Sequence, residues 1–247
     1  HPGSTERLLT AAQLRYQRDI ALPKRLQMYQ ARREALKRFA ARGKESARRA
    51  QDYVFGIENG IKVLTGEYEG LCEGKVLIQK EKAEIAFRAE VRARPALRRS
   101  TGRCWEKLET LQAELRRRNL ELTFRRLSGY RLPAIADTIV RWVVELEKPN
   151  EKRYAEFRDS ALDSLKHRLF SPAPVYPDLE EALLAQGLRE SLERLGPGDP
   201  FVRAALEGRS PEEAARRALS GTGLAAVAAR KARIDAINFA LANDDGV

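Results

Sequence analysis

The sequence predicts an all-α protein, in which long antiparallel helices are followed by a region of shorter ones. Aromatic residues make up only 7% of the 247 residues, while Ala, Leu, Arg and Glu dominate, a composition of long helices rather than of strand-rich sandwiches. Apolar residues recur at steps of three and four over several segments. Proline and glycine punctuate those segments where helices start and stop. A hydrophobic content of 43% suffices for a buried core in one large domain or two modest ones.

Taken in order, Leu22, Leu26, Tyr29, Leu36 and Phe39 recur at helical spacing, with Pro23 tolerable in a first turn or at a kink and Gly43 ending the segment. The most regular stripe is Ala47, Ala50, Val54, Ile57, Ile61, Leu64, Tyr68 and Leu71. Lys75 to Arg94 reads as one helix, and Trp105, Leu108, Leu111, Leu115 and Leu122 repeat the amphipathic pattern. Ile135, Ile139, Trp142, Val143 and Leu146 mark another helix, and Tyr154 to Leu169 the next. Ser171 to Pro177 holds three prolines, each lacking an amide donor and holding its predecessor extended, so it reads as a stiff connector. This divides a long-helix bundle region, 1–170, from a short-helix subdomain, 171–247. Within the latter, Asp178 with Glu181 and Ser210 with Glu213 have capping-box spacing, Pro211 suits a first helical position, and Asp199-Pro200 starts another helix.

Charge and chemistry narrow the function. The net charge is +11, which raises the possibility of an anionic partner. The densest clusters, Arg116-Arg117-Arg118 and Arg98-Arg99, are interleaved with Glu106, Glu109, Glu114 and Glu121, the pattern of a solvated helix face. No nucleic-acid recognition motif accompanies them. No apolar run approaches a membrane span. Cys72 and Cys104 are too few and too irregular for a zinc site or a disulfide framework, and the helix between them should hold them roughly 30 Å apart. No metal or cofactor is expected. His167, the only internal histidine, lies beside Lys166 and Arg168 in a surface role, and Ser4, Ser128 and Ser171 lack a nucleophile-elbow context. The chain thus carries no visible catalytic set. The turn-like His1-Pro2-Gly3-Ser4-Thr5, without an initiator Met, and the closing Asn243-Asp244-Asp245-Gly246-Val247 suggest a soluble piece of a longer protein.

One stretch is locally unfavourable. Within the regular stripe, Gly56 and Gly60 lie four apart on one helix face, where each glycine costs about 1 kcal/mol relative to alanine. Close approach of another helix is one explanation. Exposure of the neighbouring Asn59, whose amide offers two donors and an acceptor to a ligand, is the other.

The chain resembles the bacterial serine dipeptidyl-peptidases of types seven and eleven, peptidase family forty-six of the serine class. The resemblance rests on HPGSTERLLTAAQLRYQRDIALPKRL, DYVFGIENGIKVLTGEYEGL, KPNEKRYAEFRDSAL, LFSPAPVYPDLE and the closing NDDG. It implies a chymotrypsin-like double β-barrel interrupted by a helical insertion, which covers the cleft and restricts hydrolysis to dipeptides released from free N-termini. This chain is similar to that insertion, and the implied catalytic histidine, aspartate and serine all lie outside it. His1 is not the triad histidine, and the piece alone should be inactive. The family's N-x-x-K asparagine, which helps bind the substrate's α-amino group, falls on Asn59, with Lys62 closing the motif. Family members often have a bulkier residue where Gly60 stands. The implied partners are a peptide with a free N-terminus, the flanking β-barrel domain and, for the parent, a second copy in a homodimer in the periplasm or outside the cell, with neither nucleic acid nor membrane. A freestanding basic helical scaffold or nucleic-acid-binding module is the alternative.

Overall fold

The computed structural model describes residues 9–127 and 129–243, the side chains of 238–243 excepted. The turn expected at His1 to Thr5, together with Ser4, Ser128 and the closing 244–247, lies outside the described residues. Every regular element among the described residues is helical. Contacts divide the chain into two compact units, His1–Arg38 with Ala50–Thr123, and Phe39–Arg49 with Phe124–Val247. The change in helix length near residue 170 therefore falls inside the second unit.

In the first unit, α1 (Ala11–Tyr16) begins with a capping box between Thr10 and Gln13. It runs through a π-helical turn, Gln17–Ala21, into α2 (Leu22–Ala40). The amide of Leu22 reaches back five residues to the Gln17 carbonyl. This wider turn lies directly ahead of Pro23, which has no amide hydrogen and whose ring would press on the carbonyl four residues back in an ordinary α-helix. The turn resolves the alternatives for Pro23: the helix widens and continues.

The regular stripe forms α3 (Lys44–Cys72), with Ala50, Ile57 and Leu64 buried, Val54, Ile61, Tyr68 and Leu71 half-buried, and Ala47 exposed. Gly74, at φ 77°, turns the chain into α4 (Lys75–Ala93), which buries Leu77, Glu84 and Val91 at heptad spacing. Then come α5 (Pro95–Thr101), α6 (Cys104–Arg117) and α7 (Asn119–Phe124). The stripe expected over Trp105 to Leu122 is broken at Arg118, and Leu111 (57% exposed), Leu115 and Leu122 face solvent. Buried Glu84 organises this unit. One of its oxygens accepts from the Ala11 amide at 2.8 Å, and the other accepts from Arg88 at 2.6 Å, which also bonds Glu109 at 2.8 Å. A carboxylate at the start of α1 also faces the positive end of that helix's dipole.

The second unit opens with α8 (Arg131–Leu146), whose Ile135, Ile139 and Trp142 are buried. The helix expected from Tyr154 to Leu169 starts later. Residues Asn150–Lys152, Ala155–Phe157 and Asp159–Ala161 form separate 3₁₀ turns, and only Leu162–Leu169 (α9) is α-helical. Competing bonds explain this. The Tyr154 amide donates to buried Glu145 at 2.8 Å, the Asp159 amide to the Asn150 side chain at 3.0 Å, and Phe157 is 1% exposed. Pro177 occupies the first turn of α10 (Pro177–Leu195) and holds Tyr176 extended, at φ −101° and ψ 102°. Asp178 therefore sits inside the helix and pairs with Arg49 at 2.9 Å, so the expected Asp178–Glu181 box does not form. The other start signals hold: Asp199 caps α11 (Pro200–Leu206), and Ser210 with Glu213 forms a capping box on α12 (Pro211–Ser220). The last helix is α13 (Val227–Asn243).

Two apolar clusters fill this unit, one around Trp142, Phe157, Leu165 and Ile234, the other around Leu184, Leu188, Val202 and Ala215. Arg230, 1% exposed, borders the first. Its guanidinium donates to the carbonyls of Leu169 (2.6 Å), Ser171 (3.2 Å), Leu224 (2.9 Å) and Ala225 (2.9 Å). Burial, with Arg131 nearby, lowers its pKa from the ordinary value. A guanidinium nonetheless stays charged.

Replacing Arg230 with Ala strands those carbonyls in a dry site and should cost about 3–5 kcal/mol, with Lys restoring only part of it. Urea unfolding of the variants checks this. Acid should act through three capping carboxylates. Lys148 holds the Glu145 carboxyl below its ordinary 4.5, Ser210 does the same for Glu213, and Arg125 holds Asp199 below its ordinary 3.8. Because these folded-state values are depressed, their contribution is fully present above the ordinary range and is lost as pH falls through the depressed values. The urea midpoint should be flat from neutrality to about pH 5 and decline below about pH 4, and Glu145→Gln should flatten that decline.

Candidate functional site on the third helix

The two glycines of α3 have different surroundings. A Cβ on Gly60 would lie 2.4 Å from Cε1 of Tyr29, so the tyrosine ring occupies the space that glycine leaves. A Cβ on Gly56 would meet nothing within 4 Å. Close packing therefore accounts for Gly60 and leaves Gly56 unexplained. The same device recurs in the second unit, where the Tyr130 hydroxyl presses on Gly187 of α10.

Asn59 points away from the buried stripe and is exposed, and its carboxamide has no hydrogen-bond partner among the described residues. One turn to either side lie Phe55, 68% exposed, and Val63, 60% exposed. Residues four apart share a helix face. Gly56, Lys62 and Gly66 are exposed on the same side, and a Cβ on Gly66 would likewise meet nothing. The outer face of α3 is thus an uncovered ridge with a polar amide between two large apolar side chains and bare backbone beside them. Such a ridge can accept a hydrogen bond from an ammonium while apolar groups rest along the helix. Lys62, the other matched motif residue, adds a cation one turn on.

Asn59 was legible as a candidate, whereas Phe55 and Val63 were missed because a search for the buried stripe passes over apolar residues lying off it. Their spacing of four from Asn59 was the available signal. The remaining candidates stay apart. His167 is exposed on α9, Ser171 accepts from the Ala173 amide at 3.4 Å, and Cys72 and Cys104 are free and exposed. No group of acidic, histidine or cysteine residues suited to a metal occurs among the described residues. No helix among the described residues is long and apolar enough to cross a membrane. The Arg116 to Arg118 cluster is paired with Asp19, Glu114 and Glu121. A groove of about 960 Å³ in the second unit, floored by Leu132, Phe201 and Leu219, contains no sequence-predicted site residue.

Among known protein families, Peptidase S46 matches residues 1–246. No curated protein matches the chain.

The glycine contrast is testable. Gly56→Ala should stabilise the fold by about 0.5–1 kcal/mol, since helix propensity improves without a clash. Gly60→Ala should destabilise by roughly 1–2 kcal/mol, because overpacking against Tyr29 outweighs that gain. Thermal melts of both variants distinguish a packing glycine from a merely permissive one.

Proposed function

The chain belongs to the peptidase S46 family, and from that premise we propose that it is the helical cap of a serine exo-dipeptidyl-peptidase, with Asn59 as a ligand of the substrate's amino terminus. The catalytic serine, histidine and aspartate come from flanking β-barrels, and the chain's own part is to cover the cleft and hold one end of the peptide. The parent acts as a homodimer in the periplasm or outside the cell.

The observation that carries this reading is the outer face of α3. A surface helix ordinarily turns charged, strongly helix-forming residues to solvent. This one, among exposed charges such as Arg48, Asp52 and Lys62, also turns out Phe55, Asn59, Val63 and two glycines with open space beside them. A face that sacrifices helix propensity and leaves apolar side chains wet is built for something that comes and goes. A peptide terminus fits it, because the amide oxygen of Asn59 accepts from the α-ammonium and the bare backbone at Gly56 lets the peptide come close. A charged amine needs more than one acceptor. The remaining ones come from the catalytic domain. Requiring a free α-ammonium at a fixed distance from the nucleophile makes the enzyme release dipeptides from one end only.

Replacing Asn59 with Ala in the full-length enzyme should remove a hydrogen bond to a charged group, about 1.5–3 kcal/mol, and lower kcat/KM by roughly 10- to 100-fold with little change in melting temperature. Acetylating the substrate's α-amino group should narrow the gap between wild type and variant. A variant that loses stability but keeps its preference for free N-termini makes Asn59 a packing residue.

A further inference from the structure

The chain's excess positive charge is unevenly spent. Most arginines elsewhere face a carboxylate, as Arg15 does Glu81, Arg88 does Glu84 and Glu109, and Arg125 does Asp199. Between Val91 and Trp105 there are five arginines, Arg92, Arg94, Arg98, Arg99 and Arg103, and no acidic residue. Four of them have no ion-pair partner among the described residues, and Arg103 meets only Glu106, at 3.7 Å with both side chains exposed.

Helix ends account for only part of this charge. Arg92 closes α4, and Arg98 and Arg99 close α5, where a cation suits the helix dipole. Arg94 and Arg103 are the N-caps of α5 and α6, and neither N-cap makes a side-chain capping bond. An N-cap favours Ser, Thr, Asp or Asn and repels a cation, although Arg94 also closes α4, where a cation is favoured. Arg103 thus stands where helix physics would put an oxygen acceptor, beside four more of the same sign. Next to them, the exposed row of α4 mixes aliphatic and basic residues: Ile78 (53% exposed), Lys82, Ile85 (69% exposed), Ala89 and Arg92. Leu97 is 37% exposed within the arginine segment itself.

We propose that the segment Arg92 to Arg103, with the outer row of α4, is a docking surface for an anionic lipid bilayer. The partner must be negative, because no carboxylate lies within Arg92 to Arg103 and only Arg103 has an ion pair, with exposed Glu106. It must also accept aliphatic side chains, because Ile78 and Ile85 stand in the same row as Lys82 and Arg92. A headgroup layer offers both, phosphates for the arginines and an acyl boundary for the isoleucines. Single-stranded nucleic acid would ask instead for free aromatic faces. Trp105, the neighbouring aromatic, is already in contact with the edge-on Phe87 ring and the Arg88 guanidinium. That no helix among the described residues is long and apolar enough to span a membrane does not bear on a surface contact, and this proposal departs from the expectation of no membrane partner.

The test is co-sedimentation of the full-length protein with vesicles of phosphatidylcholine alone or mixed with phosphatidylglycerol. Wild type should pellet with the mixed vesicles only and release as salt rises. Each arginine near the surface contributes about fivefold to partitioning. The double variant Arg94→Ser with Arg103→Ser should therefore partition about 10- to 30-fold more weakly. Serine is the better N-cap at both positions, which offsets the loss of the Arg94 cation at the end of α4, so the melting temperature should change little and lost binding cannot be ascribed to unfolding. Equal pelleting with both vesicle types, no pelleting with either, or undiminished binding by the double variant overturns the proposal. Binding to a DNA duplex as tight as to the mixed vesicles would reassign the patch to nucleic acid.

Discussion

Arg230 is the constraint on which the second unit depends. Its guanidinium is held by backbone carbonyls alone, two of them at the end of α9 and the start of the proline-rich connector and two in the turn before α13. The choice of partner follows from the chain around it. A connector with three prolines in seven residues has few amides of its own, and the closing carbonyls of a helix have no partner within it. A single buried cation with five fixed donors answers both needs, and in doing so it sets Ile234 of α13 into the cluster around Trp142 and Phe157.

Three buried glutamates play the opposite role. Glu84 accepts from the Ala11 amide, Glu145 from Tyr154 and Glu180 from Leu132, each at the beginning of a helix or turn. Helix starts leave amides unpaired, and in these three places a carboxylate from elsewhere in the chain supplies the acceptor. Buried charge in this protein is spent on finishing the backbone. The outer face of α3 and the segment after α4 are two places where side chains depart from that use.

What could be read in the sequence follows the same line. Ser210, Asp199 and Pro211 were legible because a cap and its amide lie within three residues. The stripes of α3 and α8 were legible because each repeats. The caps at Ala11 and Leu132 were not, since their acceptors lie 73 and 48 positions away. The late start of α9 was hidden for the same reason, its upstream amides having been claimed by Glu145 and Asn150. Asp178 misled because Pro177 moved the helix start by two residues. At the candidate site, the glycine spacing pointed to Gly56, Gly60 and the neighbouring Asn59, and the resemblance supplied the role of Asn59, but only the structure separates Gly60, filled by Tyr29, from Gly56, which faces open space.

The π-turn ahead of Pro23 holds one residue more than an ordinary helical turn, its Leu22 amide reaching back five residues to Gln17. A one-residue deletion between Gln17 and Ala21 would therefore close an ordinary helix with α1 still in phase, Ala11 at Glu84 and Arg15 at Glu81. Its cost would fall on Pro23, whose ring would then press on the carbonyl four residues back. Among related chains, the loss of one residue between Thr10 and Pro23 should therefore accompany the loss of the proline.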